Sequence, residues 1–253
     1  MNAHFAPSEA EIDAAFDRCE FAVVYQPQVE LRTDRIIGAE ALVRWNHPAR
    51  GLLGPDYFLE SVFQHGLARR LSTWVLTQAC RDALAWNDIR VAVNLSPSQF
   101  ADPGLAAHIL PIARMSGLPL NRLEVEIVET ALFDDTDEAR KRIEELRTAG
   151  VSIALDDFGT GYSNLNRLQH MPFDKIKIDK AFIDGLPEMR SVAILQAIVA
   201  LVRALGMKAL AEGVETPDQR RIVTATGCHY MQGFLFAKPM SAQELTALLK
   251  SRA

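Results

Sequence analysis

Seven polar residues sit at or near the ends of short aliphatic runs, and most of this chain's capacity for chemistry lies in them. Asn94 closes Val-Ala-Val-Asn, and Glu126 lies late in Leu-Glu-Val-Glu-Ile-Val. Asp156 closes Val-Ser-Ile-Ala-Leu-Asp, with Asp157 behind it. Lys177 lies late in Lys-Ile-Lys-Ile-Asp, Glu212 closes Lys-Ala-Leu-Ala-Glu, and Glu40 sits within Ile-Ile-Gly-Ala-Glu-Ala-Leu. Any one of them reads most simply as a helix cap or a rim ion pair. Together they are five carboxylates facing one lysine, and like charges that close cannot all stay ionised unless cations intervene. Two divalent cations would offset four negative charges and Lys177 a fifth. An all-oxygen donor set suits Mg²⁺, Mn²⁺ or Ca²⁺. The histidines show no HExxH or HxH spacing, which argues against zinc. His229, beside Cys228, reads as a packed histidine.

These residues converge only if their strands end on the same side. Side chains alternate along a strand. Val91 and Val93 therefore oppose Asn94, the residues Val151, Ile153 and Leu155 oppose Asp156, and Ile176 and Ile178 oppose Lys177. The aliphatic face would pack on outer helices and the polar face would point into a barrel mouth. Extended runs are expected at Ala22–Glu30, Ile36–Trp45, Arg90–Leu95, Leu123–Val128, Val151–Asp156, Lys175–Asp179, Lys208–Ala211 and Tyr230–Met231. Helices are expected near Pro55–Gln64, Ala68–Asn87, Pro103–Ser116, Asp135–Ala149, Ser163–His170, Glu188–Leu205, Pro217–Thr226 and Ala242–Ser251, after a short capped helix from Ser8 to Phe16. Ser241, Thr216 and Asp134 or Asp135 are candidate caps; Gly117, Gly150, Gly206 and Gly227 close helices. Alternation of this kind predicts an α/β fold, a TIM-like (β/α)8 barrel with chemistry at its C-terminal rim. Only Leu31–Arg35 joins the first two strands. That is hairpin length, so one antiparallel strand near the N-terminus is expected. Residues 1–20 read as a helical lead-in and 21–253 as the barrel domain.

Composition narrows the function classes. Hydrophobic residues make up 49% of the 253, enough for a full core. The net charge of −5 argues against a nucleic-acid polymer as partner. Three cysteines without a CxxC point to a reducing, cytoplasmic setting. No signal peptide and no membrane segment are evident. Gly159-Thr160-Gly161 reads as a loop over the rim and is no P-loop. Trp45, Trp74 and Trp86 read as packing residues.

Ordered along the chain, these blocks resemble the EAL-domain family of cyclic di-GMP phosphodiesterases. Glu40-Ala-Leu42 followed by Val-Arg44-Trp45 is similar to the signature that names it. Tyr25-Gln-Pro27, Val93-Asn-Leu-Ser96, Glu126-Ile-Val-Glu129, Asp156 to Ser163, Lys177-Ile-Asp179, Glu212-Gly-Val-Glu215 and Gln232-Gly-Phe234 running to Lys238-Pro239 follow in order, covering Phe21 to the C-terminus. Two departures are visible: Val128 stands where the family usually has threonine, and Asn164 replaces a common serine.

The resemblance implies hydrolysis of cyclic di-GMP to linear pGpG with two Mg²⁺ or Mn²⁺ ions, Ca²⁺ being inhibitory. It implies a first metal on Glu40, Asn94, Glu126 and Asp156, and a second on Asp156 and Asp157. Lys177 would hold the attacking water, and Glu212 would serve as general base or second-metal ligand. Substrate contacts would come from Arg44, Gln26, Leu42, Glu215 and Gln232, and Glu129 would steady the loop from Asp157 to Ser163. A homodimer is implied, with Asp157 to His170 linking interface and site, and family members often carry sensory or cyclase-like segments upstream. A receptor that binds cyclic di-GMP without cutting it is the alternative. A Mg²⁺ barrel enzyme of the enolase kind, using Lys175 and Lys177, fits the extra acids and Asn94 less well.

Overall fold

In the computed structural model, residues 6–132, 136–159 and 165–252 are described. Among these residues nine strands form one sheet: β1 (Phe21–Glu30), β2 (Ile36–His47), β3 (Gly51–Leu53), β4 (Arg90–Leu95), β5 (Leu123–Val128), β6 (Ser152–Phe158), β7 (Lys175–Ile178), β8 (Lys208–Ala211) and β9 (Tyr230–Met231). Their order is β1-β9-β8-β7-β6-β5-β4-β2-β3, and pairing of β1 with β2 closes eight of them into a barrel. β1 runs antiparallel to both its neighbours, β2 and β9, while the pairs from β2–β4 round to β8–β9 are parallel. The short Leu31–Arg35 link permits this, because a parallel neighbour needs a crossover of a dozen or more residues. β3 lies outside the barrel, a three-residue antiparallel extension of β2. It is too short to carry a period-2 signal, which is why it was not expected from the pattern.

The helices follow the pattern with shifts at their ends. The long helix expected to reach Asn87 stops at Ala83. Short helices at Pro97–Phe100 and Lys180–Asp184 follow β4 and β7 without an expectation from the sequence. Ser8, Thr216 and Ser241 form capping boxes. The cap at Asp134 or Asp135 and the segment from Thr160 to Asn164, including Ser163, lie outside the described residues. Gly117, Gly150, Gly206 and Gly227 have positive φ, the conformation that ends a helix.

The main apolar core lies between barrel wall and helices. Val91, Val93, Val125, Ile127, Ile153, Leu155, Ile176 and Ile178 pack with Leu76, Ile109, Ile143, Leu195 and Val199. A second cluster of Ile12, Ala15, Phe21, Trp45, Phe58, Val62 and Leu71 ties the helix Glu9–Asp17 to the mouth side of the barrel, where the start of β1 pairs with the end of β2. Trp45 and Trp86 are buried, and Trp74 packs partly buried against both clusters. Cys19, Cys80 and Cys228 are free thiols. Among the described residues no helix is long and apolar enough to cross a membrane.

The barrel interior is polar. Gln26, Gln28, Glu40, Glu124, Glu126, Asp156, Lys175, Lys177 and Gln232 are all buried. Barrels of this kind are usually filled by branched aliphatics, so this interior has to satisfy its polar groups among themselves.

Candidate metal centre and active site

Lys177 is the hub. Its Nζ lies 2.9 Å from Glu126 Oε2, 2.9 Å from Asp156 Oδ1, 2.9 Å from Glu212 Oε1 and 3.4 Å from Glu40 Oε2. These partners come from β2, β5, β6 and the residue following β8; only β5 and β6 among these strands are neighbours in the sheet, and the others meet across the lumen. Asn94, at the end of β4, donates from Nδ2 to Glu40 Oε1 at 2.7 Å. Gln232, following β9, donates from Nε2 to Glu40 Oε2 at 2.7 Å and to Gln26 Oε1 at 3.0 Å. Its own Oε1 is buried with no hydrogen-bond partner among the described residues.

β6 supplies two consecutive carboxylates, which a regular strand would send to opposite faces. The register against β7 shifts between Leu155 and Phe158, and Asp157 adopts φ +54°. This bulge turns Asp157 back beside Asp156, whose Oδ1 accepts from the Asp157 N–H at 3.0 Å. Two acidic groups result: Glu40, Glu126 and Asp156, and then Asp156, Asp157 and Glu212. In each, one oxygen per residue lies within 4.8 Å of the others. Asp156 belongs to both.

Electrostatics follow from burial and crowding. Burial alone would raise Glu40, but the Lys177 charge and the hydrogen bonds from Gln232 and Asn94 hold it below the ordinary carboxylate range. Burial and then the Glu40 charge push Glu126 well above that range. Glu212 is pushed up to about 8, by burial first and then by Asp156 and Glu40, against the pull of Lys177. Burial and Asp156 raise Asp157. Lys177 titrates well above an ordinary lysine because its carboxylate neighbours outweigh the burial that would lower it. Without added positive charge the cluster therefore retains protons on some carboxyls. Its oxygen-only donors, surplus negative charge and close spacing fit hard divalent cations, and Glu40, Asn94, Glu126, Asp156, Asp157 and Glu212 could hold them.

The other residues singled out in the sequence lie around this cluster. A cavity of about 250 Å³ is lined by Gln26, Glu40, Leu42, Lys180, Glu212, Glu215, Gln232 and Phe234. A mostly apolar cavity of about 340 Å³ adjoins it, sharing Leu42 and reaching Asn94, Pro97 and Val128. Glu215 stands on the rim and pairs with Lys180. Arg44 lies four residues beyond Glu40 on β2, half-buried, its Nη1 donating to the Val43 carbonyl at 2.8 Å; it does not enter the cluster. Glu129 Oε2 accepts from the Gly159 N–H at 3.1 Å, at the start of the loop after β6. His229 is packed, its Nδ1 accepting from the Ala209 N–H at 3.1 Å.

Lys180, Gln28 and Glu124 were not singled out as site residues, and Lys175 only in the enolase-like alternative. Lys180 lines the cavity; its position three residues after Lys177 gave no signal. Gln28, Glu124 and Lys175 form a second buried polar layer beneath the first. Lys175 Nζ donates to Glu124 Oε1 at 2.6 Å and to Gln28 Oε1 at 2.7 Å, and Gln28 Nε2 donates to Glu126 Oε1 at 3.2 Å. Strand alternation could have found all three, since each lies two residues from a residue of the upper layer.

Residues 9–239 match the model of the EAL domain. The chain is 39% identical over 242 residues to the cyclic di-GMP phosphodiesterase RocR of Pseudomonas aeruginosa, a match covering 94% of this chain and 62% of that protein. It is 40% identical over 243 residues to the bifunctional diguanylate cyclase/cyclic di-GMP phosphodiesterase MucR of the same organism, covering 94% and 36%. The solved MucR phosphodiesterase in complex with c-di-GMP superposes with a TM-score of 0.89 at 40% identity, over 93% of this chain and 98% of that one. Against three further curated relatives the chain spans between 28% and 36% of their length.

Proposed function

The chain belongs to the EAL-domain family, and on that premise we propose that it hydrolyses one phosphodiester bond of cyclic di-GMP to give linear pGpG. The observation that carries this reading is the gathering of Glu40, Glu126, Asp156 and Glu212 about Lys177, with Asn94 and Asp157 alongside. A protein that only binds a cyclic dinucleotide has no need of so many buried acids at one point.

In this reading Glu40, Asn94, Glu126 and Asp156 would hold one divalent cation, and Asp156 and Asp157 would hold another. Bound Mg²⁺ or Mn²⁺ supplies positive charge for the phosphate and lowers the pKa of water in the site. Lys177 donates a hydrogen bond to the attacking water and fixes its line of approach. Glu212, whose carboxyl keeps its proton up to about pH 8 while the cluster's negative charge stands alone, becomes an acceptor once that charge is offset. It then serves either as general base or as a ligand. Arg44 turns from the Val43 carbonyl to a phosphate oxygen, while Gln26, Leu42, Gln232 and Glu215 line the dinucleotide's seat. Glu129 holds the start of the loop after β6.

Turnover of cyclic di-GMP by the purified chain, followed as pGpG by chromatography in Mg²⁺, Mn²⁺ and Ca²⁺, tests this. Product is expected with the first two and little with the third, whose looser coordination holds water and phosphate less tightly in line. Glu40→Ala should eliminate turnover. Saturable binding of cyclic di-GMP with no pGpG in any ion would make the chain a receptor.

A further inference from the structure

The upper acidic cluster does not rest on an apolar floor. One step down the lumen, Glu124, Lys175 and Gln28 form a closed set, each no more than 3% exposed. They come from β5, β7 and β1, which are not adjacent in the sheet, so they meet only inside the barrel. The lysine–glutamate pair is charge-balanced, and Ser152 Oγ donates to the second Glu124 oxygen at 3.3 Å.

Gln28 has one orientation available in this setting. Lys175 has only donors, so the Gln28 oxygen must face it, at 2.7 Å. The amide nitrogen is thereby turned towards Glu126, and donates to Oε1 at 3.2 Å. The other Glu126 oxygen, Oε2, is left for Lys177. A flipped amide would place its oxygen against a carboxylate and its N–H group against an ammonium, so Lys175 excludes the flip.

We propose that Gln28 is a positioning residue for Glu126 in the metal-holding cluster, and that the Glu124–Lys175 pair acts through it by dictating which way its amide faces. The proposal rests on the metal-dependent reading above. Among the described residues Glu126 has no other hydrogen-bond donor from below, and without Gln28 its carboxylate can rotate about the single contact to Lys177. Partners that orient a ligating carboxylate typically contribute about 10- to 100-fold in metal affinity.

The test is Mn²⁺ binding to the folded chain, read by electron paramagnetic resonance of free Mn²⁺, alongside the urea midpoint and cyclic di-GMP turnover. Gln28→Leu is expected to weaken Mn²⁺ binding about 10-fold. At saturating Mn²⁺ its KM for cyclic di-GMP should stay unchanged, because Gln28 does not line the dinucleotide cavity. The double variant Glu124→Gln with Lys175→Met removes the charges together and with them the ammonium that holds the amide oxygen, leaving Glu126 alone to orient Gln28; it should weaken Mn²⁺ binding by a smaller factor. Unchanged Mn²⁺ affinity in Gln28→Leu, with only the urea midpoint lowered, would show a purely structural residue and overturn the proposal. If Gln28→Leu fails to fold, Gln28→Met, unbranched and of similar length but without the amide, decides: wild-type Mn²⁺ affinity there overturns the orienting role. No Mn²⁺ binding by the wild-type chain would overturn the metal reading itself, and the proposal with it.

Discussion

Two polar layers share one barrel lumen, two residues apart along the same strands, and they differ in charge balance. The lower has one lysine, Lys175, against one carboxylate, Glu124, with Gln28 and Ser152 completing the hydrogen bonds. The upper has one lysine, Lys177, against Glu40, Glu126, Asp156 and Glu212. Side-chain types and burial are alike. The lower layer closes on itself, whereas the upper leaves negative charge that only protons or cations can offset. The comparison teaches that buried acid alone does not mark a site; surplus buried acid does.

Removing divalent cations should separate the layers most sharply. Chelation is expected to bring pGpG formation to background and leave the lower layer intact, checked by turnover and by near-ultraviolet circular dichroism. The reverse manipulation is Lys175→Met. It strands Glu124 in the lumen, and loss of one partner of a buried pair costs about 3–5 kcal/mol, measurable by urea denaturation. Adding Glu124→Gln should recover most of that, because the stranded charge is gone.

The pH dependence of the ion-free chain should come from the upper layer. Glu212 is pushed up to about 8 from an ordinary 4.5, and Glu126 and Asp157 are also raised. The unfolded chain releases these protons at ordinary values, so between the two the folded state binds more protons. The contribution to stability is full below about pH 4.5 and is lost as pH rises through about 8. Glu40, held low, works in the opposite sense near its own range. A net fall on the order of 3 kcal/mol between pH 5 and 8 is expected, and saturating Mg²⁺ should flatten it. An ion-free stability that rises across this range would contradict the surplus-charge account.

The smallest effect expected is at the bulge. Asp157 holds a left-handed conformation that costs an L-residue about 1 kcal/mol. Asp157→Gly should leave stability unchanged or raise it by up to about 1 kcal/mol while weakening the acidic group shared with Asp156 and Glu212. Parallel thermal melts and Mn²⁺ titrations would show whether the strain serves the site.

Much of this was legible in the chain. Period-2 alternation in Val-Ala-Val-Asn and Lys-Ile-Lys-Ile placed Asn94 and Lys177 on the inner face, because a strand has only two faces and the aliphatics claim one. The short Leu31–Arg35 link foretold the antiparallel β1. Other features were not legible. Gln28 and Glu124 look like ordinary polar strand residues until Lys175, distant in sequence, is brought against them. Arg44 shares a face with Glu40 in the pattern, yet the length of β2 carries it clear of the cluster.

The sequence by itself determined the strand pattern, the barrel and the identity of the acids, since alternation, loop length and residue type are local properties. Only the tertiary structure decided which acids share a lysine, that a bulge turns Asp157 beside Asp156, and that Glu126 is gripped from below through Gln28. Closure of the barrel brings Glu40, Glu126 and Gln28 together from strands that do not pair with β7, and the bulge follows from the shifted register between β6 and β7.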